Sequence, residues 1–357
     1  MSPYFVNRLG LRQNRGHMPT PIELFDYKLP PELIAQHSVE PRDHSRLMLL
    51  DRDSGATQEK QFFEIVDELH EGDVLVMNNT KVFRARLRGS VGEHELEVFL
   101  LRPRGDAWDV LVRPGRRVSV GDTMKIGDVS GEVVGKSDVM SVRFDLSDQE
   151  LIDYANAHGE IPIPPYVSEV PDSIEKYQTV YAEQTGSVAA PTAGFHFTEE
   201  LLDKIRAKGV SIEYVTLHVG IGTFRPVKTD TLEEHEMHAE YVTITPEVAQ
   251  RITAAKQEGR RVIAVGTTTV RTLEGVAAVH EGSLPAEGFS GDVNLFITPG
   301  FTFNVIDALM TNFHLPKSTL LVLVSAFAGR EHVLRAYDRA VQDEFRFFSF
   351  GDAMFIR

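Results

Sequence analysis

"RRVIAVGTTTVRTLEG", residues 260–275, is the stretch whose reading decides the fold. An apolar run, Val262–Val265, breaks at Gly266 and continues as a threonine-led helical segment, the pattern of strand, turn and helix. Thr267 or Thr268 can cap the helix, whose free N–H groups would favour an anion. Arg271, one turn in, could meet a carboxylate bidentately. The plainer alternative is a capped helix with a surface arginine. No G-x-x-x-x-G-K-[ST] or G-x-G-x-x-G accompanies the turn, so support for a nucleotide-phosphate loop is weak.

The same grain extends to both sides. Downstream of Thr198, which with Glu199 and Glu200 supplies a cap and first-turn acids, come the strand "VSIEYVTLHVG" and the helix "TPEVAQRITAAKQEG". After the opening unit follow the strand "NLFITPG" and the helix "STLLVLVSAF". Upstream lie a helix "PPELIAQH", a strand "SRLMLLDR" and a helix "FFEIVDELHEG". Strand and helix in alternation predict parallel strands with crossover helices. Between residues 72 and 148 the pattern changes to short β-branched strands separated by Gly, Asp and Pro-Gly turns, from "DVLVMN" to "VMSVRFDL". That pattern predicts a small antiparallel β-barrel. The fold class expected is therefore a barrel-related α/β core, residues 18–71 and 149–357, carrying an inserted β-barrel, 72–148. The basic start of the chain, with Arg8, Arg12 and Arg15, reads as a mobile extension through residue 17.

Composition narrows the classes. The 357 residues contain no cysteine, which removes disulfides, thiolate zinc sites and a cysteine nucleophile. The longest apolar run, "STLLVLVSAFAG", is too short to span a bilayer, and a soluble cytoplasmic protein is expected. A net charge of −15 argues against a general nucleic-acid coat. The charge is unevenly spread, however: residues 81–117 hold nine Lys and Arg against five Asp and Glu.

In parallel α/β folds, ligands bind at the carboxyl ends of the strands. The expected strand ends carry "AAPTAGFHFT" at 189, "HVGIGTFRP" at 218, "GTTTVRT" at 266, "ITPGF" at 297 and "TNFHLPKST" at 311. They nominate Phe195, Gly220, Gly222, Thr223, Phe224, Arg225, Thr267, Thr268, Arg271, Asn312 and Lys317 as substrate contacts. They also nominate His196, His218 and His314 as acid–base candidates. A lone histidine is usually structural; three at comparable positions weigh toward chemistry. His196 leads, because apolar neighbours and the following helix N-terminus both favour neutral imidazole. His235 and His238 in "EHEMHAE" lie at i, i+3, not the i, i+4 of a zincin helix, so no metal is expected.

Arg84, Arg86 and Arg88 share one strand face, about 6.6 Å apart. A turn at Ser90-Val91 would set them opposite Glu97, Glu95 and Glu93, making cross-strand ion pairs the better reading than a phosphate track. Arg113, Arg116 and Arg117 in "RPGRR" have no acid nearby in sequence and are the preferred phosphate contacts.

Seven motifs in order, "FDYKLPPELIAQHSVEPRDHSRLMLLDR", "VMNNTKVFRARLRG", "AAPTAGFHFT", "HVGIGTFRPV", "GTTTVRTLE", "ITPGFTFNVIDALMTNFHLPKSTLLVLVSAFAG" and "RFFSFGDAM", resemble the S-adenosylmethionine:tRNA ribosyltransferase-isomerases of queuosine biosynthesis. The resemblance runs from about Phe25 to the C-terminus, with no departure at the motif positions. It implies transfer and isomerisation of the ribosyl part of S-adenosylmethionine onto 7-aminomethyl-7-deazaguanine at the tRNA wobble position. Epoxyqueuosine-tRNA forms, and adenine and methionine leave. It also implies an α/β core with an inserted β-barrel, S-adenosylmethionine as substrate rather than cofactor, tRNA as partner, no membrane, and a monomer. The residues suit those needs. A histidine can take the acidic proton beside a sulfonium, an arginine can meet the methionine carboxylate, and Phe195 or Phe224 can offer adenine an aromatic face. Two other classes stay open: a metal-dependent hydrolase using His218, His235 and His238, and a non-catalytic RNA-binding module.

Overall fold

A computed structural model describes residues 19–164, 166–220, 229–237 and 239–357. The strands are β1 (Arg46–Leu50), β2 (Thr57–Gln61), β3 (Val74–Asn78), β4 (Thr80–Val82), β5 (Arg86–Val91), β6 (His94–Arg104), β7 (Ala107–Arg113), β8 (Thr123–Ile126), β9 (Val129–Lys136), β10 (Met140–Phe144), β11 (Gln184–Ser187), β12 (Ser211–Leu217), β13 (Glu240–Ile244), β14 (Val262–Val265), β15 (Phe289–Val293), β16 (Ala308–Asn312) and β17 (Ala353–Ile356). The helices are α1 (Ile65–Glu68), α2 (Asp148–His158), α3 (Glu199–Ala207), α4 (Pro246–Gln257), α5 (Thr267–Val279), α6 (Thr319–Ala328) and α7 (Arg330–Gln342).

Nine strands form the core sheet in the order β15-β13-β12-β3-β14-β16-β17-β1-β2. The central four, β12, β3, β14 and β16, are parallel, as the alternation predicts. On the flanks β13 and β15 turn antiparallel, and so does β17 beside β16. The centre reads as unbroken apolar sequence because it is covered on both faces. In β3, Val74 and Val76 join the core beneath α4, α5, α6 and α7, while Leu75 and Met77 join the one beneath α3. The edge strand β2, "TQEKQ", is polar and largely exposed, which discourages edge-to-edge pairing.

The insertion is a closed antiparallel barrel of order β10-β7-β6-β5-β8-β9. Leu87, Val98, Leu100, Trp108, Val110, Met124, Val133 and Val142 pack within its core, where Leu151 and Ala155 of α2 join them. Ser147 and Glu150 start α2 with a reciprocal capping box, and Trp108 Nε1 donates to Asp148 Oδ1 at 2.7 Å. β4, which follows β3 directly, pairs in parallel with β11 in a separate two-stranded sheet.

Several expectations need correction. "DVLVMN", read as the first barrel strand, is β3 at the centre of the core sheet; continuous apolarity, not alternation, is its signature. The barrel strands thus run from Arg86 to Phe144. "PPELIAQH" yields only a 3-10 turn, Pro31–Leu33. "FFEIVDELHEG" yields a 3-10 turn, Phe62–Glu64, and the single turn α1. "NLFITPG" is not a strand, since β15 ends just before it at Val293; the strand that feeds α6 is β16. Residues 1–17 lie outside the described residues.

Candidate active site

At the carboxyl ends of the parallel strands lies a cleft. Gly266, Thr267 and Thr268 line it from the β14–α5 turn, Thr311, Asn312, Phe313 and His314 from the end of β16, and Val219 from beyond β12. Pro191, Thr192 and Ala193 add a further wall, and Tyr166, Phe348 and Ser349 close another side.

The β14–α5 turn differs from its sequence reading. Gly266, not a threonine, is the N-cap; its φ of 85° is a left-handed conformation that favours glycine. No side chain caps α5, so its first N–H groups keep no intrahelical partner. Thr268 Oγ1 is buried beside them without a hydrogen-bond partner among the described residues. The strand-end placement of Thr267 and Thr268 therefore stands, but their capping role does not. Arg271 is buried in an ion pair with Glu240 of β13 and is not held for a ligand.

The three histidines prove unlike one another. His196 is buried against Phe62, with ring centroids 4.9 Å apart. Asn312 Nδ2 donates to the Phe348 carbonyl at 3.1 Å, which fixes the amide's orientation. The same nitrogen lies 3.1 Å from His196 Nε2 and must donate to it. His196 Nδ1 then carries the proton and donates to Ser45 Oγ at 2.7 Å. Its one lone pair is consumed, and it does not line the cleft. Burial, then Arg346 and Arg42, lowers its pKa to about 3. His314 does line the cleft, with Nε2 3.0 Å from Thr311 Oγ1; burial lowers its pKa to about 3. Its backbone is pinned on both sides, the N–H donating to Tyr337 Oη and the carbonyl accepting from Tyr27 Oη.

His218 follows β12; like His196 it is not itself among the residues that line the cleft, but its neighbour Val219 is. Its Nδ1 meets Thr80 Oγ1 at 2.8 Å, and its Nε2 has no hydrogen-bond partner among the described residues. It is only half-buried, and burial lowers its pKa to about 4. Gly186 lies so close that a Cβ there would sit 2.8 Å from the imidazole Cε1.

Other nominated residues scatter. Phe195 is buried away from the cleft, 5.8 Å from Phe350, with Arg42 over its ring. Lys317 is engaged by Glu23 and Asp26. Asn312 lines the cleft but is spent on His196 and Phe348. Gly220 follows His218 with open space around it. Gly222, Thr223, Phe224 and Arg225 lie outside the described residues, as does His238. Among the described residues no group of three or more His, Asp or Glu could hold a metal ion.

Sequence reasoning missed the aromatic wall. Tyr166 and Phe348 meet with ring centroids 4.0 Å apart, and Tyr166 Oη lies 2.6 Å from Ser349 Oγ. Phe348 adopts φ 75°, a costly conformation for a bulky residue, held by bonds to Phe313 and from Asn312. Phe348 and Ser349 belong to "RFFSFGDAM"; Tyr166 sits in a proline-rich loop whose sequence carries no such signal. Also missed were Asn78, Asn79 and Thr80 after β3. Asn78 bonds both the N–H and the carbonyl of Leu217, and Asn79 accepts from Thr216 at 2.8 Å, so two asparagines weld β3 to β12 beside His218.

On the barrel, the Arg84–Arg88 stripe is engaged as ion-pair logic suggests, in a different register. The turn is at Gly92-Glu93, so Arg88 faces Glu97 and Arg86 faces Phe99. Arg86 lies 3.8 Å from Glu97, and Arg88 pairs with Glu160 at 3.2 Å. Gly92 at φ 56° suits the tight turn that Ser90-Val91 would not. Arg113, Arg116 and Arg117, around the 3-10 turn Gly115–Arg117, are exposed and have no ion-pair partner among the described residues.

Fold and cleft together are those of an α/β protein with a cleft at the carboxyl ends of its strands, the place where such folds bind small ligands. The model of the family described as "Queuosine biosynthesis protein" matches residues 22–356, and the chain belongs to that family. The protein is also similar to the S-adenosylmethionine tRNA ribosyltransferase of Thermotoga maritima, known from a crystal structure. Identity is 40%, over 94% of this chain and 100% of that one, with a TM-score of 0.56.

Proposed function

We propose that the protein transfers and isomerises the ribosyl moiety of S-adenosylmethionine onto 7-aminomethyl-7-deazaguanine at the tRNA wobble position, giving epoxyqueuosine-tRNA with release of adenine and methionine. The observation that carries the reading within this family is the pairing, in one cleft, of an uncapped helix N-terminus with an aromatic wall. The α5 N–H groups and the Thr268 hydroxyl take the methionine carboxylate. This replaces Arg271, which Glu240 already holds. Tyr166 and Phe348 supply the face for adenine in place of Phe195. His218 is the base: of the three imidazoles it pairs the greatest exposure with a ring nitrogen free of partners among the described residues. Its Nε2 takes the proton from the carbon beside the sulfonium.

Arg113, Arg116 and Arg117 meet the tRNA backbone from the barrel. The wobble base leaves its stack to reach the cleft, as bases in single-stranded loops readily do. In this reading the protein works in the cytoplasm as a monomer, and no metal takes part. Among the described residues no helix is long and apolar enough to cross a membrane.

The test is incubation with S-adenosylmethionine and tRNA carrying the aminomethyl-deazaguanine, followed by chromatography of the small products. Adenine and methionine released together, only with the modified tRNA, is the expected result. Adenosylhomocysteine instead would mean a methyltransferase. Turnover should also survive EDTA; a loss restored by zinc or manganese would favour a metal-dependent reaction.

A further inference from the structure

The Thr80 hydroxyl has one proton to give and two neighbours to satisfy. One is the Gln184 carbonyl, 3.4 Å away; the other is His218 Nδ1, 2.8 Å away. A carbonyl can only accept, whereas Nδ1 can donate or accept, so the arrangement that satisfies both neighbours gives the hydroxyl proton to Gln184. Thr80 Oγ1 must then accept from His218, which requires a proton on Nδ1 and leaves the lone pair on Nε2. Thr80 is fully buried, so water does not compete for these bonds.

The ring is also held sterically. Gly186 lies against it, leaving no room for a Cβ. The His218 backbone N–H donates to Tyr241 at 3.1 Å, and Asn78 and Asn79 fix the strand just before it. Thr80 and Gly186 come from β4 and β11, which pair in parallel as a separate two-stranded sheet.

We infer that Thr80 is a positioning residue: through the Gln184 carbonyl it fixes the Nδ1–H tautomer of His218 and aims the Nε2 lone pair for proton abstraction. The inference rests on the reading of His218 as the base, but its structural half can be measured without turnover. Free imidazole side chains favour the opposite tautomer, so a hydroxyl held in this way has a task to perform. Any role for Thr80 in packing alone would be kept by valine, which has nearly the same shape.

The experiment is 15N NMR of histidine-labelled protein at pH 7.5, wild type against Thr80→Val and Thr80→Ser, with kcat and KM for S-adenosylmethionine measured on the same samples. The expected result is a protonated Nδ1 on His218 in the wild type and a shift toward protonated Nε2 in Thr80→Val. In that variant kcat falls about 10-fold or more at unchanged KM, the direction seen when a catalytic histidine loses its tautomer-fixing partner. Thr80→Ser restores both tautomer and kcat. A wild-type signal from protonated Nε2 overturns the inference whatever the turnover. So does a Thr80→Val enzyme with wild-type kcat. His218→Gln tests the base reading by itself: wild-type turnover there would remove the base while leaving the tautomer measurement standing.

Discussion

The strand-end cleft and the barrel's basic turn use polar residues in opposite ways. Around the cleft almost every polar side chain is spent on the protein itself. Asn312 serves His196 and Phe348, Asn78 serves Leu217, and Arg271 serves Glu240. Among the described residues, what stays unpartnered there is Thr268 Oγ1, Arg271 Nε, the first N–H groups of α5 and one nitrogen each of His218 and His314. On the barrel turn, three exposed arginines are held by no ion pair among the described residues. The first region suits chemistry, which needs a few groups fixed in place at low dielectric. The second suits a polyanion, which needs charge and tolerates mobility. The difference teaches that a count of polar residues at a site says less than the count of unused lone pairs and protons.

The strongest way to break the comparison is at His218. Its replacement by alanine should leave the fold intact, cut turnover by roughly 10²-fold or more, and alter S-adenosylmethionine binding far less, the scale of general-base loss. Wild-type turnover would make His218 one more spent side chain and turn attention to His314, which lines the cleft.

Next in size is the response to acid. The pKa values of His196 and His314 are lowered to about 3 and that of His218 to about 4, all by burial in the first place. Below about pH 6.5, the ordinary value for the unfolded chain, the unfolded state binds protons that the folded state refuses. Stability is therefore fully present above that pH and falls as the pH drops toward 3. Each such histidine contributes a slope of up to about 1.4 kcal/mol per pH unit. Melting temperature should be flat from pH 8 to 7 and decline steadily from 6.5 to 4.5. A flat profile through pH 5 would mean that these imidazoles are not held neutral.

The smallest effect is expected on the barrel. Changing Arg113, Arg116 and Arg117 to alanine should weaken tRNA binding about 10-fold at moderate salt, reduce the salt slope by roughly three, and leave S-adenosylmethionine affinity unchanged. An unchanged slope would move the RNA surface elsewhere, beginning with Arg84.

Much of this molecule was legible in advance, for a local reason. Thr198, read as a helix cap, accepts from the N–H of Leu201 three positions on, so its signal lies inside one turn of chain. The strand–turn–helix at Val262–Val279 and the barrel's short strands are likewise periodicities within a few residues. Where local cues misled, a neighbour in space decided. β3 looked like its sequence neighbours in the barrel but pairs with β12 and β14. The β5–β6 turn lies two residues beyond the expected one, because Gly92 accepts a positive φ.

The sequence by itself determined the class of fold, its inserted barrel, the Thr198 cap and the family, since these rest on composition, short-range hydrogen bonds and ordered motifs. It also placed histidines and threonines near the ends of strands. Which of them keep a free nitrogen or hydroxyl was decided only by tertiary structure. The partners of His196 stand 151 and 116 positions away, and the partner of His218 stands 138 away. A hydrogen-bonding group is available to a ligand only when no fold partner claims it, and that is settled by which distant segments the core sheet and the β4–β11 pair bring into contact.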